Sequence, residues 1–416
     1  MSSHPLYNRY FAFAFISQIG FVLANTALMA HYARWVGFLG GRVDTAGWIT
    51  GTASIAGLVL RPWIGQWIDR WGAKTVWLLG YAIFIAGSLS NLLLYDLGLG
   101  VYVCRALIVV GGAFVFSSSI TYVSHLAPPE RRAEAIGMLG VAGFIGIVFG
   151  PLWAELTLSA ERTRGEFETI FVVSACLLVL PILLLLFLKK PESEARRRST
   201  GLSEFVQTAR KYWPGTIFFV QATFGLCMTI PLVFLTKYID DVGLDGKGFS
   251  LASLFFMSYA TWGLTLRLIL RRTPERFGRR KMLLAGSVVM GVGMLSFLLV
   301  DAEHASRIVI PALLCGTGHS LMYHTCTALL LEPFPDEVRG VGSALSMIAM
   351  DLGTIAGSQI LGEIAFRFGY NALFVTVALI NVATGIVYTF VSIPVWQDRA
   401  DRKRATEASP ALESRL

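Results

Sequence analysis

The chain repeats itself at a fixed offset of 206 residues, and the repeat is centred on a charged stretch between two apolar runs. The first copy reads Gly57-Leu58-Val59-Leu60-Arg61, then Gly65, Asp69-Arg70-Trp71-Gly72-Ala73-Lys74, Gly80 and Gly87-Ser88-Leu89-Ser90. The second reads Gly263-Leu264-Thr265-Leu266-Arg267, then Arg271, Glu275-Arg276-Phe277-Gly278-Arg279-Arg280, Gly286 and Gly293-Met294-Leu295-Ser296. A chain duplicated over this length folds as two similar halves that must pack against each other.

What the halves are made of follows from the apolar runs. Hydrophobic residues make up 55% of the 416 and charged residues only 15%, too little charge to cover a water-soluble surface. The apolar residues fall in runs of roughly 20, enough for a helix to cross a bilayer core. Twelve such spans are predicted: 10–32, 46–67, 75–94, 100–126, 134–157, 168–188, 214–236, 249–270, 281–300, 307–331, 341–365 and 370–394. In lipid each backbone group must be satisfied within its own segment, and the short alternating strands of a barrel are missing from the pattern, so the spans are helices. The expected fold is an all-α membrane protein with twelve transmembrane helices in two pseudo-symmetric six-helix bundles. The first bundle is expected over 1–188 and the second over 214–394. A cytoplasmic linker at 189–213, polar with one amphipathic turn near Phe205, joins them, and a charged tail follows at 395–416.

The net charge of +8 suggests a nucleic-acid partner until its placement is read. Of the 35 Lys and Arg, eight lie on the side opposite the termini (Arg34, Arg42, Arg162, Arg164, Lys237, Lys247, Arg307, Arg367) and Arg105 lies within a span. All others share the side of the termini, which the bias of basic loops places in the cytoplasm of a cell membrane. The runs at Lys189-Lys190, Arg196 to Arg198 and Arg399 to Arg404 then read as topology signals beside anionic lipid. A phosphate backbone needs a folded basic face, which this pattern lacks. No cleavable leader is expected, because the stretch after Arg9 is too long for a signal-peptide core. Cys104, Cys176, Cys227, Cys315 and Cys326 all fall inside spans without Cys-x-x-Cys spacing, and free, buried thiols are expected.

The charged stretch resembles the signature loop of the major facilitator superfamily, Gly-x-x-x-Asp-Arg-x-Gly-x-Lys, as Gly65, Asp69, Arg70, Gly72 and Lys74. Ala73 stands where the family has Arg. The second copy keeps Glu275, Arg276, Gly278 and Arg280 but carries Arg271 in place of the first Gly. Duplicated six-helix halves imply a secondary transporter with its site between them. The loop residues, with Arg61 and Arg267 at repeated helix positions, are expected to gate it: charges at helix ends hold one face shut through contacts that break when one half rocks against the other.

Gly137, Gly140, Gly143, Gly146 and Gly150 recur every three or four residues in the fifth span, with Pro151 behind them. Small residues at that spacing let two helices approach closely. Gly146-x-x-x-Gly150-Pro151 resembles the motif of the family's proton-driven exporters, and Gly353-x-x-x-Gly357 is its counterpart in the second half without the proline.

Ionisable groups inside lipid are rare, and each is a functional expectation. Arg105 matches the fourth-helix Arg of the family, whose resemblance implies proton coupling, and Glu155 at similar depth is a possible ion-pair partner. Asp351 lies ten residues into its span with no basic neighbour in sequence, so a raised pKa is expected to let it carry a proton. It points about 200° away from Gly353 around the helix. His319 is the alternative carrier, with Tyr323 and Cys326 on its face. For cargo contacts the polar stripe Gln18, Asn25 and Tyr32 on the first span is expected, completed by Ser118, Tyr122 and Gln221 and by Tyr323. No aromatic binding box is assigned to the Phe and Trp residues, which are expected to serve packing and the membrane interface.

No nucleotide-binding, metalloprotease or nucleophile motif occurs, so neither enzymatic activity, cofactor nor metal is expected. The partners expected are a small-molecule substrate, protons and the lipid bilayer, with the chain working as a monomer. These features together imply proton-coupled export of a small organic molecule. Proton-driven uptake is the runner-up. A transport-inactive receptor would be expected to have lost Asp351, His319 and Arg105.

Overall fold

The computed structural model describes residues 8–127, 132–159, 161–189, 201–244, 250–270, 278–335 and 338–391. Among these every regular element is helical. The first half holds α1 (Arg9–Phe38), α2 (Val43–Trp71), α3 (Ala73–Ser90), α4 (Leu99–Leu126), α5 (Arg132–Glu155), α6 (Arg164–Cys176) and α7 (Val179–Leu186). The linker contributes α8 (Leu202–Lys211). The second half holds α9 (Ile217–Thr229), α10 (Leu235–Asp241), α11 (Leu251–Ile269), α12 (Arg279–Ser296), α13 (Val309–Leu331) and α14 (Arg339–Val391). Twelve crossing segments result, because α6 and α7 form one, α9 and α10 form one, and α14 bends at Gly369 into two.

The joints have local causes. Pro231 has no N–H to donate, and the backbone widens there into a π-helical turn over Ile230–Phe234 that joins α9 to α10. Gly369 takes φ +82°, as Gly72 and Gly278 take +87° and +88°. A side chain is strained at such angles, so glycine is required at both copies of the repeated turn. The Asn8 side chain caps α1 by accepting from the N–H groups of Tyr10 and Phe11 at 3.0 Å. In place of a single amphipathic turn near Phe205, the linker forms the ten-residue α8, with Ala209 buried. Lys190 to Thr200 lie outside the described residues.

Two apolar cores form. One draws on residues from Phe11 to Leu188, and the other on Ala209 to Tyr388, joined by Ala30, Val43, Phe144 and Val148 from the first half. Large apolar side chains also cover the outside, among them Leu180, Leu183, Phe187, Leu379 and Phe390, as expected of helices that meet lipid. Cys176 corrects the expectation of five buried thiols: it is exposed, while the other four are buried. Its helix position faces outward, and a residue inside a span is not thereby inside the protein.

Candidate functional site

Two ends of the molecule are named here by their turns: the Gly40 end, between α1 and α2, and the Gly72 end, between α2 and α3. At the Gly40 end α1 crosses α10, and the crossing is closed by charge. Arg34, only 3% exposed, donates to both oxygens of Asp240 at 2.9–3.2 Å and to Glu155 at 2.5 Å. Arg162 holds Asp240 from a second direction at 2.5 Å. His31 Nε2 lies 3.2 Å from the Pro151 carbonyl and 3.6 Å from Glu155. Thr236 Oγ1 donates to the Ala30 carbonyl at 2.5 Å. Arg34 with Asp240, and Ala30 with Thr236, are each separated by 206 residues, the offset of the repeat. Equivalent residues meet only near an axis that relates the halves, so α1 and α10 cross at the pseudo-two-fold.

None of this network beyond Glu155 was anticipated as a site. The signal was available, however: applying the offset of 206 to each charged residue pairs Arg34 with the opposite charge of Asp240. Glu155 also corrects the expected pairing with Arg105. It terminates α5, which packs along α1 and delivers it to Arg34. Arg105 is fully buried and instead lies over the Tyr32 ring at 4.5 Å, with no hydrogen-bond partner for its guanidinium nitrogens among the described residues.

Deeper in the interface, Arg61 of α2 forms an ion pair with Asp351 of α14. This corrects the reading of Asp351 as an isolated acid. Its partner comes from the other bundle, 290 residues away. Gly353 faces α9 and Asp351 faces α2, on different sides of the helix. Arg267, the repeat equivalent of Arg61, reaches α5 and stacks on Phe144 at 5.5 Å from the ring centroid.

Phe144 in turn opens onto His319. Ring centroids of Phe144, Phe224, Tyr259 and Tyr323 lie 5.3, 5.2, 5.8 and 5.7 Å from the imidazole. The Tyr259 hydroxyl is in hydrogen-bond contact with His319 Nδ1. These four rings enclose the His319 side chain. The rings come from α5, α9, α11 and α13 and share no sequence spacing, so the cluster around His319 is not legible in the sequence.

The expected polar stripe of α1 divides. Tyr32 donates to Asn91 Oδ1 at 3.0 Å and to the Val101 carbonyl at 3.2 Å, and Tyr122 donates to the Lys189 carbonyl at 2.9 Å. The Tyr32 hydroxyl is thus tied within the first half and that of Tyr122 to the start of the linker, which corrects their placement as cargo contacts. Gln18, Ser118 and Gln221 are buried, each with a side-chain oxygen lacking a partner. Asn25 is buried, with its amide toward Met29 Sδ at 3.5 Å.

At the repeated turn, Lys74 Nζ donates to the Leu186 and Leu188 carbonyls at 2.8 Å, which satisfies the C-terminus of α7. Lys74 is thus tied within its own half. Arg70 is exposed, and a Cβ at Gly65 would meet nothing within 4 Å. Arg280 lies beside Tyr388 of its own bundle. Glu275 and Arg276 lie outside the described residues, as does the Asp69 side chain.

The glycine faces pack backbone against backbone. A Cβ at Gly146 would stand 2.1 Å from Val22 Cγ1, and one at Gly150 would stand 2.0 Å from Thr26 Oγ1. At Gly353 it would stand 1.7 Å from the Ala222 carbonyl, and at Gly357 3.0 Å from Thr229. Thr26 Oγ1 donates to the Gly146 carbonyl at 2.7 Å, and Pro151 ends this stretch beside His31. The arrangement of α1 on α5 is thus repeated by α9 on α14.

Comparison with known proteins agrees with this architecture. The sequence model of the Major Facilitator Superfamily matches residues 10–274 and 272–414. Multidrug resistance protein 1 of Bacillus subtilis (strain 168) is 24% identical over 370 residues, covering 86% of this chain and 89% of its own. The staphylopine export protein of Staphylococcus aureus (strain Mu50 / ATCC 700699) is 22% identical over 366 residues, covering 86% and 89%. In fold, the crystal structure of a D-xylose-proton symporter is similar with a TM-score of 0.75 at 15% identity, over 92% of this chain and 98% of that one. The chain belongs to the Major Facilitator Superfamily and is a multi-pass membrane transporter, not an enzyme.

Proposed function

We propose that the protein exports a small organic molecule from the cytoplasm in exchange for protons, by alternating access, with both termini cytoplasmic. On this topology the Gly40 end faces outward. The observation that carries the reading is the construction of α5. Gly146 and Gly150 clamp it to α1, and its last residue, Glu155, enters the buried charge network that seals the outer end. An exporter loads from inside and must hold its outer end shut meanwhile, without leaking protons. Relatives named for multidrug resistance and for export support the direction.

For coupling, Arg61–Asp351 is the connection that a proton acts on most directly, because it joins the two bundles. Protonating Asp351 cancels one charge of the pair and loosens the contact, so the proton biases which state is populated. His319 is the second carrier, within the ring cluster. Arg105, by its resemblance to the family's fourth-helix Arg, is the third residue to test.

The experiment uses cells overproducing the protein and a panel of toxic compounds and metabolites. A rise in tolerance that a protonophore abolishes supports proton-driven export. Protonophore-sensitive accumulation of a compound inside the cells would refute export in favour of uptake.

A further inference from the structure

The repeat relates two contacts across the interface, and they are chemically unequal. Arg61 meets a carboxylate. Its equivalent Arg267 is half-buried against α5, where a Cβ on Gly140 would lie 2.8 Å from its Nη2. Shifting Asp351 back by 207 residues, the offset between the glycine pairs, lands on Phe144. So the position that supplies a counter-ion to Arg61 supplies a phenyl ring to Arg267. Among the described residues Arg267 makes no hydrogen bond or ion pair; besides the Phe144 ring, the Tyr323 hydroxyl lies near enough to interact with it electrostatically.

A guanidinium keeps its charge at any physiological pH, and a charge within a membrane-spanning helix ordinarily finds a partner. The same ring also borders an apolar, aromatic cluster. Phe144 lies 5.3 Å from His319, with Phe224, Tyr259 and Tyr323 around it. A cationic head and an aromatic cluster are therefore neighbouring parts of one place, contributed by both bundles. Rocking the bundles apart separates α5 from α11 and dismantles it, as a site used in one state of a transport cycle must allow.

We infer that this place binds an organic anion with a flat apolar body. Arg267 takes its carboxylate or sulfonate in a forked pair of hydrogen bonds, and the rings cover the body. This deepens the export reading by naming its cargo class, and rests on that reading only for the claim that the ligand is transported.

The test is thermal stabilisation of the purified full-length protein by three matched probes: 2-naphthoate, 2-naphthamide and 2-naphthylmethylammonium. Wild type should be stabilised by the carboxylate at concentrations at least about tenfold below those needed for the ammonium. Arg267→Gln should lose roughly ten- to a hundredfold in carboxylate affinity while keeping its response to the amide. Arg267→Lys should keep part of the preference, because an ammonium attracts but does not fork. Arg210→Gln, at an exposed site on α8, should keep all of it.

If Arg267→Gln proves unfolded without probe, the reduced preference of Arg267→Lys decides. Equal or better binding of the ammonium, an unaltered preference in both Arg267 variants, or no stabilisation by 2-naphthoate would overturn the inference. Transport is scored separately. Extrusion of aromatic cations without anion preference refutes the site and leaves export standing, whereas Arg267-dependent binding without extrusion does the reverse.

Discussion

Replacing Arg34 with Gln removes the side chain around which the Gly40-end network is built. Its side chain is 1% exposed, against 9% for Glu155 and 11% for Asp240, so water screens these pairs little. Removing one partner of a buried pair costs about 3–5 kcal/mol, because a charge is left uncompensated. Of the Arg34 pairs given above, the one with Asp240 joins the two bundles, and Asp240 keeps Arg162 at 2.5 Å. Gln also restores one hydrogen bond, so the loss to the closed arrangement comes to about 2–3 kcal/mol. At 1.4 kcal/mol per factor of ten, the closed-to-open ratio at that end falls roughly 30- to 150-fold. The assay is the distance distribution between spin labels at Leu99 and Phe368, 79% and 73% exposed on opposite bundles. It is measured after Cys176→Ser removes the exposed native thiol. A longer population should appear or grow in Arg34→Gln. Adding Asp240→Asn should cost less than the sum of the two single changes, since the acid left behind is then neutral. An unchanged distribution, or strict additivity, would refute the view that this network holds the end shut.

Other outcomes are expected elsewhere. Asp351→Asn should abolish accumulation driven by a pH gradient while sparing cargo exchange without one, and Arg61→Gln added to it should restore part of the stability lost by the single change. Measured on proteoliposomes, wild-type pH-driven transport in the Asn variant would exclude Asp351 as the carrier. Gly353→Ala sets a Cβ 1.7 Å from the Ala222 carbonyl and should lower the melting temperature by the equivalent of about 1–3 kcal/mol or more. Gly143→Ala, which meets nothing within 4 Å, should not, and equal melting of the two would discount the close approach of α9 and α14. A membrane-impermeant maleimide should reach a cysteine placed at Asp96 from outside and one placed at Arg70 only from inside. Labelling of position 70 in intact cells would reverse the topology.

Much of the fold was legible because it is local. A run of about 20 apolar residues forces a helix in lipid whatever surrounds it, and the repeat carries a glycine at positions 72 and 278, both of which take positive φ in the structure. The glycine spacing on α5 and α14 predicted close packing, and the structure brings backbone to backbone there. Joints such as the π-helical turn at Pro231 were less visible, because a proline within a span removes a donor without saying how the backbone responds.

The site divides along the same line. That Asp351 faces away from Gly353 is helix periodicity and was determined by the sequence alone; that it meets Arg61 depends on which faces two bundles present to each other. Glu155 and Arg105 lie at similar depth, yet α5 turns one toward Arg34 while α4 turns the other toward Tyr32. Depth along a span is a one-dimensional quantity, and ion pairing also needs the angular one. The rings around His319 come from four helices with no common spacing, so only their assembly reveals them. The sequence by itself determined two membrane-spanning halves and where their charges enter the lipid. Tertiary structure decided which charges neutralise one another and left Arg267 against a ring, because pair energies fall with distances that no residue number contains.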